Sequence, residues 1–163
     1  MKQTEIEKKF IVNRNLWMKT DPVSGKKILQ GYLSLDEHKV IRVRIYGNQG
    51  YLTIKRKMHD FGRPEFEYEI PITEAQDLMG LTIGYPIEKV RYVVRCHGKT
   101  WEVDVFDGLN KGLILAEIEL KDPDEQFDLP DWTGEEVTYD HRYYNSFLAE
   151  YPFGSWGEKK GGA

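Results

Sequence analysis

Glu5, Glu7 and Lys9 occupy alternate positions in the opening run E-I-E-K-K-F. Alternate side chains of a β-strand share a face, so two carboxylates and an ammonium would stand in line on one surface. That combination can present oxygen ligands to a hard cation and a phosphate contact together. The arrangement recurs along the chain. Arg42 and Arg44 flank Val43, and Thr53, Lys55 and Lys57 alternate with Ile54 and Arg56. Glu65, Glu67 and Glu69 alternate with Phe66 and Tyr68. Lys89 and Arg91 flank Val90, Glu102 and Asp104 flank Val103, and Glu117 and Glu119 flank Ile118. Most of these polar faces carry one sign of charge.

The commonest meaning of such alternation is an antiparallel sheet with one face in the core and the other in water. Same-face neighbours lie roughly 7 Å apart, so like charges there repel, and a solvated face gives no reason to sort them by sign. Basic and acidic strands must answer one another across a shared space, or answer a ligand. A closed eight-stranded antiparallel β-barrel with a charged lumen meets that demand and removes sheet edges. The expected class is therefore α+β, mainly β, with a few helices outside and at one end of the tunnel. Eight strand-like runs fall at about 3–11, 27–35, 39–46, 50–57, 64–71, 86–96, 99–107 and 113–121. Ile6, Val43, Ile45, Ile54, Phe66, Tyr68, Val90, Val103, Val105 and Ile118 then face outward, to pack against helices.

The 163 residues suit one domain. It is expected over residues 1–153, with a flexible tail over 154–163. A net charge of −4 does not advertise nucleic-acid binding, so an anion site must be a local concentration of Lys and Arg. Cys96 is the only cysteine, which excludes an intrachain disulfide and a thiolate metal cluster; a strand thiol packed as a small hydrophobe is expected. His38, His59, His97 and His141 lack zinc-ligand spacing. The chain shows no charged leader with an apolar run and no long apolar segment, which argues for a cytoplasmic protein without membrane contact.

Residues 13–19 read as a short helix, and Gly47, Asn48 and Gly50 as a hairpin turn. Thr73 and Gln76 have capping-box spacing, predicting a helix from about Pro71 to Met79. The acidic, proline-bearing stretch from Lys121 to Glu136 is expected to be irregular, and Thr138 to about Glu150 helical.

These features together resemble the CYTH superfamily, the triphosphate tunnel metalloenzymes. The opening matches the family's Glu-x-Glu-x-Lys signature. Gln30-Gly31-Tyr32-Leu33, Arg42-x-Arg44, Leu52-Thr53-Ile54-Lys55, the Glu65–Ile70 run, Lys89-x-Arg91, Glu102-x-Asp104, Ala116-Glu117-x-Glu119 and the stretch from Val137-Thr138 to Leu148 follow in the family's order. The resemblance implies an eight-stranded tunnel whose lumen binds a triphosphate with divalent metal. It also implies a small hydrolase of inorganic triphosphate or of nucleoside or thiamine triphosphates; because no stretch supplies a recognisable adenine pocket, cleavage of inorganic triphosphate to pyrophosphate and phosphate is the expected reaction.

Lys9, Arg42, Arg44, Lys55, Lys89 and Arg91 are the candidate substrate-binding residues, because phosphoryl transfer needs positioning and charge neutralisation. Glu5, Glu7, Glu102, Asp104, Glu117 and Glu119 are the candidate ligands for Mg2+ or Mn2+; their alternative role is as salt-bridge partners of the basic strands. Lys9, Lys89, Glu67 and Glu69 are the candidate catalytic residues. Glu65, Glu67 and Glu69 would hold the basic residues in place, with one of them reaching metal or water. Spacing does not single out a general base. The competing readings are a class IV type adenylate cyclase and a non-catalytic module that binds polyphosphate or nucleotides. A lipocalin-type barrel is disfavoured because such pockets are mostly apolar. The expected partner is a small triphosphate-containing molecule, with no nucleic acid; a homodimer is compatible with this reading.

Overall fold

A computed structural model describes residues 6–22, 24–56 and 65–157. Nine strands form one antiparallel sheet: β1 (Ile6–Val12), β2 (Lys26–Leu35), β3 (Lys39–Tyr46), β4 (Gln49–Arg56), β5 (Glu65–Ile70), β6 (Ile83–Cys96), β7 (Lys99–Phe106), β8 (Ile114–Leu120) and β9 (Thr133–Glu136). Their order is β5-β4-β3-β2-β6-β7-β8-β1-β9. Each of the eight expected runs overlaps one of β1 to β8.

The closed eight-stranded barrel is corrected on two counts. Among the described residues there is a ninth strand, and the sheet they form is not closed by hydrogen bonds. Closure would require β5 to bond to the free edge of β1. That edge is already occupied, because β9 pairs with it at Phe10↔Glu136 and Val12↔Thr133. Flanking bonds extend the occupation: Asn13 N–H donates to the Trp132 carbonyl at 2.8 Å, and Val137 N–H to the Lys9 carbonyl at 2.8 Å. The sheet nevertheless curls far enough for the charge of Lys55 on β4 to act on Glu7 of β1. The lumen is therefore a deep trough between two unjoined edges.

Alternation gives each face its own core. On the convex face Phe10, Trp101, Val103, Ala116 and Ile118 pack with Trp17 and Trp132. Trp101 meets Phe10, Phe127 and Trp132 edge to face at 5.7, 6.0 and 5.7 Å, the geometry that the ring quadrupole favours. Half-buried Cys96 joins this cluster. Trp17 comes from α1 (Arg14–Met18), which Asn13 caps by accepting from Leu16 N–H.

Farther along the convex side α2 (Ile72–Met79) covers β3 and β4. Its Ala75 lies so close to Gly50 that a Cβ there would come within 2.8 Å of the alanine Cβ. The expected capping box does not form. Pro71 is the N-cap and no side chain caps the helix, because the turn out of β5 places Thr73 inside the first turn. Phe66 and Tyr68 are not covered by a helix either and stay half exposed, since β5 is an edge strand beyond the reach of α2. The β3–β4 hairpin turns at Gly47, whose φ of 63° suits the first position of a two-residue turn.

One end of the trough is plugged from the concave side. The helix expected from Thr138 is broken: a 3-10 turn (His141–Tyr143) is followed by extended Tyr144 and only then by α3 (Asn145–Glu150). Leu148 and Ala149 of α3 pack with Tyr32, Ile87, Phe106 and Leu115 from four strands. The chain beyond Pro152 continues the plug through a 3-10 turn (Phe153–Ser155), and Trp156 meets Tyr143, Phe147 and Phe153 edge to face. Among the described residues no helix is long and apolar enough to cross a membrane.

Candidate active site

The register of the sheet decides which charged side chains share the lumen. Residues opposite one another in an antiparallel pair share a face. The pairs Thr53↔Glu67, Arg42↔Thr53, Gln30↔Arg44, Arg91↔Asp104, Glu102↔Glu117, Lys9↔Glu117 and Glu7↔Glu119 thread one concave surface from β5 to β1.

Asp104 is the hub of the deepest cluster. Its Oδ1 accepts from Arg91 Nε at 2.8 Å, and its Oδ2 accepts from Arg91 Nη2 at 3.0 Å and lies 2.8 Å from Lys89 Nζ. Arg91 also bonds Glu102 at 3.0 Å, and Lys89 Nζ donates to Asn145 Oδ1 of α3 at 3.1 Å. Burial alone would raise the Asp104 carboxyl, but Lys89 and Arg91 together hold it well below the usual carboxylate range. Burial pushes the Lys89 ammonium down to about 8 even though Asp104 pulls it up. For Arg91 burial is overcome by the two hydrogen bonds to Asp104, and its charge is secured.

Arg42 and Arg44 are held differently. Arg44 Nε donates to Gln30 Oε1 at 2.8 Å, and Arg42 Nη2 to Thr53 Oγ1 at 3.3 Å, while the Thr53 hydroxyl donates to Glu67 Oε1 at 3.2 Å. No described carboxylate lies within ion-pair distance of either guanidinium. Burial, with Arg42 and Arg91 nearby, lowers Arg44 to about 10. Lys55 is lowered by burial and then by Arg42. Like charge is thus gathered there, offset only in part by Asp104 near Arg44 and by Glu65 and Glu7 near Lys55.

The opposite wall is acidic. Glu7 stands beside Glu117 and Glu119, and its carboxyl is raised to about 7, first by loss of water and then by Glu117. The residue is nonetheless exposed to solvent, as an open concave lumen permits: water reaches the side chain while protein surrounds it. Lys9 enters this wall, 3.3 Å from Glu117. Its Nζ donates to the Tyr143 carbonyl at 3.2 Å and sits 5.3 Å from the Tyr144 ring centroid, and its own N–H donates to Thr138 Oγ1 at 3.1 Å. The strand that starts the chain is thereby tied to the plug that ends it.

The structure brings Glu7, Lys9, Arg42, Arg44, Lys55, Lys89, Arg91, Glu102, Asp104, Glu117 and Glu119 to the same face, with Glu67 reaching it through Thr53. Glu69 lies opposite Tyr51 and Glu65 opposite Lys55. Glu5 and Lys57 lie outside the described residues. Among the described residues no three acidic, His or Cys side chains stand close enough to share one ion, and both oxygens of Asp104 are engaged by cations. Gln30, Asn145 and the Tyr143 carbonyl were not among the expected site groups. All three lie in runs that the resemblance picked out, Gln30 in Gln30-Gly31-Tyr32-Leu33 and the others between Val137 and Leu148, but no spacing singled them out within those runs.

Comparison with known proteins agrees with this architecture. The CYTH domain family matches residues 3–146. A protein of Acetivibrio thermocellus named inorganic triphosphatase is 45% identical over 155 residues, covering 94% of this chain and 98% of its own. One of the same name from Nitrosomonas europaea is 35% identical over 150 residues, covering 90% and 97%. A solved inorganic triphosphatase superposes with a TM-score of 0.68 at 35% identity, over 91% of this chain and 95% of that one.

Proposed function

Because the chain belongs to the CYTH domain family, we propose that it hydrolyses inorganic triphosphate to pyrophosphate and phosphate with the help of a divalent cation. It is a hydrolase of phosphoanhydride bonds, like the relatives named for that activity. The observation that carries this reading is the pair Arg42 and Arg44, gathered in the lumen on neutral partners. Uncompensated arginines beside one another are costly without an anion, and a phosphate chain offers each a bidentate partner.

CYTH triphosphatases are metal-dependent, and the acidic wall has suitable chemistry. Glu7, Glu117 and Glu119 offer only hard oxygen donors, and their mutual repulsion already raises Glu7. With Glu5 they would hold Mg2+ or Mn2+. The ion supplies charge neutralisation at phosphate oxygens and makes a bound water more acidic. The chain's own residues do the remainder. Arg42, Arg44 and Lys55 orient the phosphate chain, and Lys9 and Lys89 oppose the negative charge that develops on the transferred group. Asp104 and Glu102 hold Lys89 and Arg91 in position, and Glu67 and Glu69 are the candidates to accept a proton from the attacking water.

The test is phosphate release from triphosphate, pyrophosphate and ATP, with Mg2+, Mn2+ or EDTA. Triphosphate is expected to have the highest kcat/KM, and EDTA to abolish turnover until metal is restored. Full activity after chelation would remove the metal assignment. Cyclic AMP as the main product from ATP would overturn hydrolysis.

A further inference from the structure

Gln30 is fully buried on β2, yet only one end of its amide is used. Its Oε1 accepts from Arg44 Nε at 2.8 Å, while its Nε2 has no partner among the described residues. A buried amide N–H without an acceptor is unfavourable. A carboxylate of the same shape would remove that orphan and pair with the arginine, as Asp104 does with Arg91 a few strands away. The lumen therefore contains both solutions for anchoring a guanidinium, and at Arg44 it uses the one that leaves the charge intact.

Geometry explains what the amide contributes. Holding Nε fixes the plane of the guanidinium from behind and leaves the terminal nitrogens free of described protein partners. They form the edge that makes bidentate contact with phosphate oxygens. Arg42 is treated in parallel, with one Nη on the Thr53 hydroxyl and a buried Nε that has no partner.

We propose that Gln30 is a positioning residue for substrate: its carbonyl aims Arg44 at the triphosphate, and its neutrality keeps the arginine's positive charge available to it. This rests on the triphosphatase reading above. Two replacements separate aim from charge. Gln30→Glu keeps shape and acceptor but adds a charge; Gln30→Met keeps length and removes the acceptor.

The readouts are KM and kcat for inorganic triphosphate with Mg2+, calorimetric binding of triphosphate, and thermal melting of each variant. Gln30→Glu should raise KM by about tenfold or more, the scale of one charge-assisted hydrogen bond, with kcat nearly unchanged. Gln30→Met should raise it by only about threefold, since the charge survives and only its aim is lost. Equal KM increases in the two variants, or a Gln30→Glu enzyme that binds like wild type, would overturn the proposal. If Gln30→Glu melts below the assay temperature, Gln30→Met decides: raised KM at constant kcat supports the assignment, and unchanged KM overturns it. A wild-type protein that neither binds nor hydrolyses triphosphate would instead sink the triphosphatase reading, which the same assays report separately.

Discussion

Two basic clusters share the lumen and hold their charge in opposite ways. Lys89 and Arg91 are locked onto Asp104, with Glu102 as a further partner, so that positive and negative groups balance. Arg42 and Arg44 rest on a hydroxyl and an amide, and no described carboxylate forms an ion pair with them. The first arrangement needs no ligand to be complete, because each buried charge has its counter-charge. The second is complete only when an anion arrives. Where several cations line one cavity, the charge state of their anchors thus separates those whose charge is already balanced from those left open to a ligand.

The largest expected effect comes from breaking the balanced cluster. Asp104→Ala leaves Lys89 without a described counter-charge and Arg91 with Glu102 alone, and loss of one partner of a buried pair costs about 3–5 kcal/mol. Urea denaturation of the variant should show a destabilisation of that size. A loss below about 1 kcal/mol, the scale of an exposed pair, would mean that water reaches the cluster and that the contrast is smaller than it looks. The wild-type protein offers a second check. The Asp104 carboxyl lies below its ordinary value in the folded state, so its stabilisation is present above the unfolded pKa and is lost as pH falls through the folded one. In the Asp104→Ala variant that acid-side loss should disappear.

Arg44→Ala makes the opposite test. Substrate affinity should fall by about tenfold to a hundredfold, the range for one charge-assisted contact. Stability should change by no more than about 1 kcal/mol, because the lost hydrogen bond to Gln30 is offset by relief from Arg42 and Arg91. KM and urea curves of the same preparation measure both. A strongly destabilised Arg44→Ala protein with normal KM would reverse the two roles.

The face on which each charged residue sits was legible from alternation, since Arg42, Arg44, Lys89, Arg91, Asp104 and Glu117 fall on the concave side as the two-residue period requires. Who anchors whom was not legible. That Asp104 rather than Glu102 stands between Lys89 and Arg91 depends on the β6–β7 register, Arg91↔Asp104 beside Lys89↔Phe106. Gln30 reaches Arg44 only through the β2–β3 register. The ninth strand escaped for a related reason: Thr133–Glu136 reads T-G-E-E, with no apolar period, and is held in the sheet by backbone bonds to β1. Those same bonds occupy the edge that a closed barrel would have used. Asn145 carries no local signal either, because it meets Lys89 from more than fifty positions away in sequence.

The smallest effect concerns the acidic wall, where the contrast recurs with the sign reversed. Among the described residues no cation forms an ion pair with Glu7, and desolvation together with Glu117 and Glu119 raises it from 4.5 to about 7, with Lys55 only partly offsetting them. Between these values the folded protein keeps a proton that the unfolded chain has released. Stability of the chelator-treated protein should therefore fall as pH rises through that window. Glu7→Gln cannot lose a proton there, so its melting curve should be flatter between pH 5 and pH 7. A divalent cation acts on the same charge from the other side: it favours the ionised carboxylates, so Mg2+ should raise the wild-type melting temperature more at pH 8 than at pH 5. In Glu7→Gln that difference should shrink. Parallel profiles for the two proteins would show that Glu7 is an ordinary solvated carboxylate, and only the basic side of the lumen would then carry unbalanced charge.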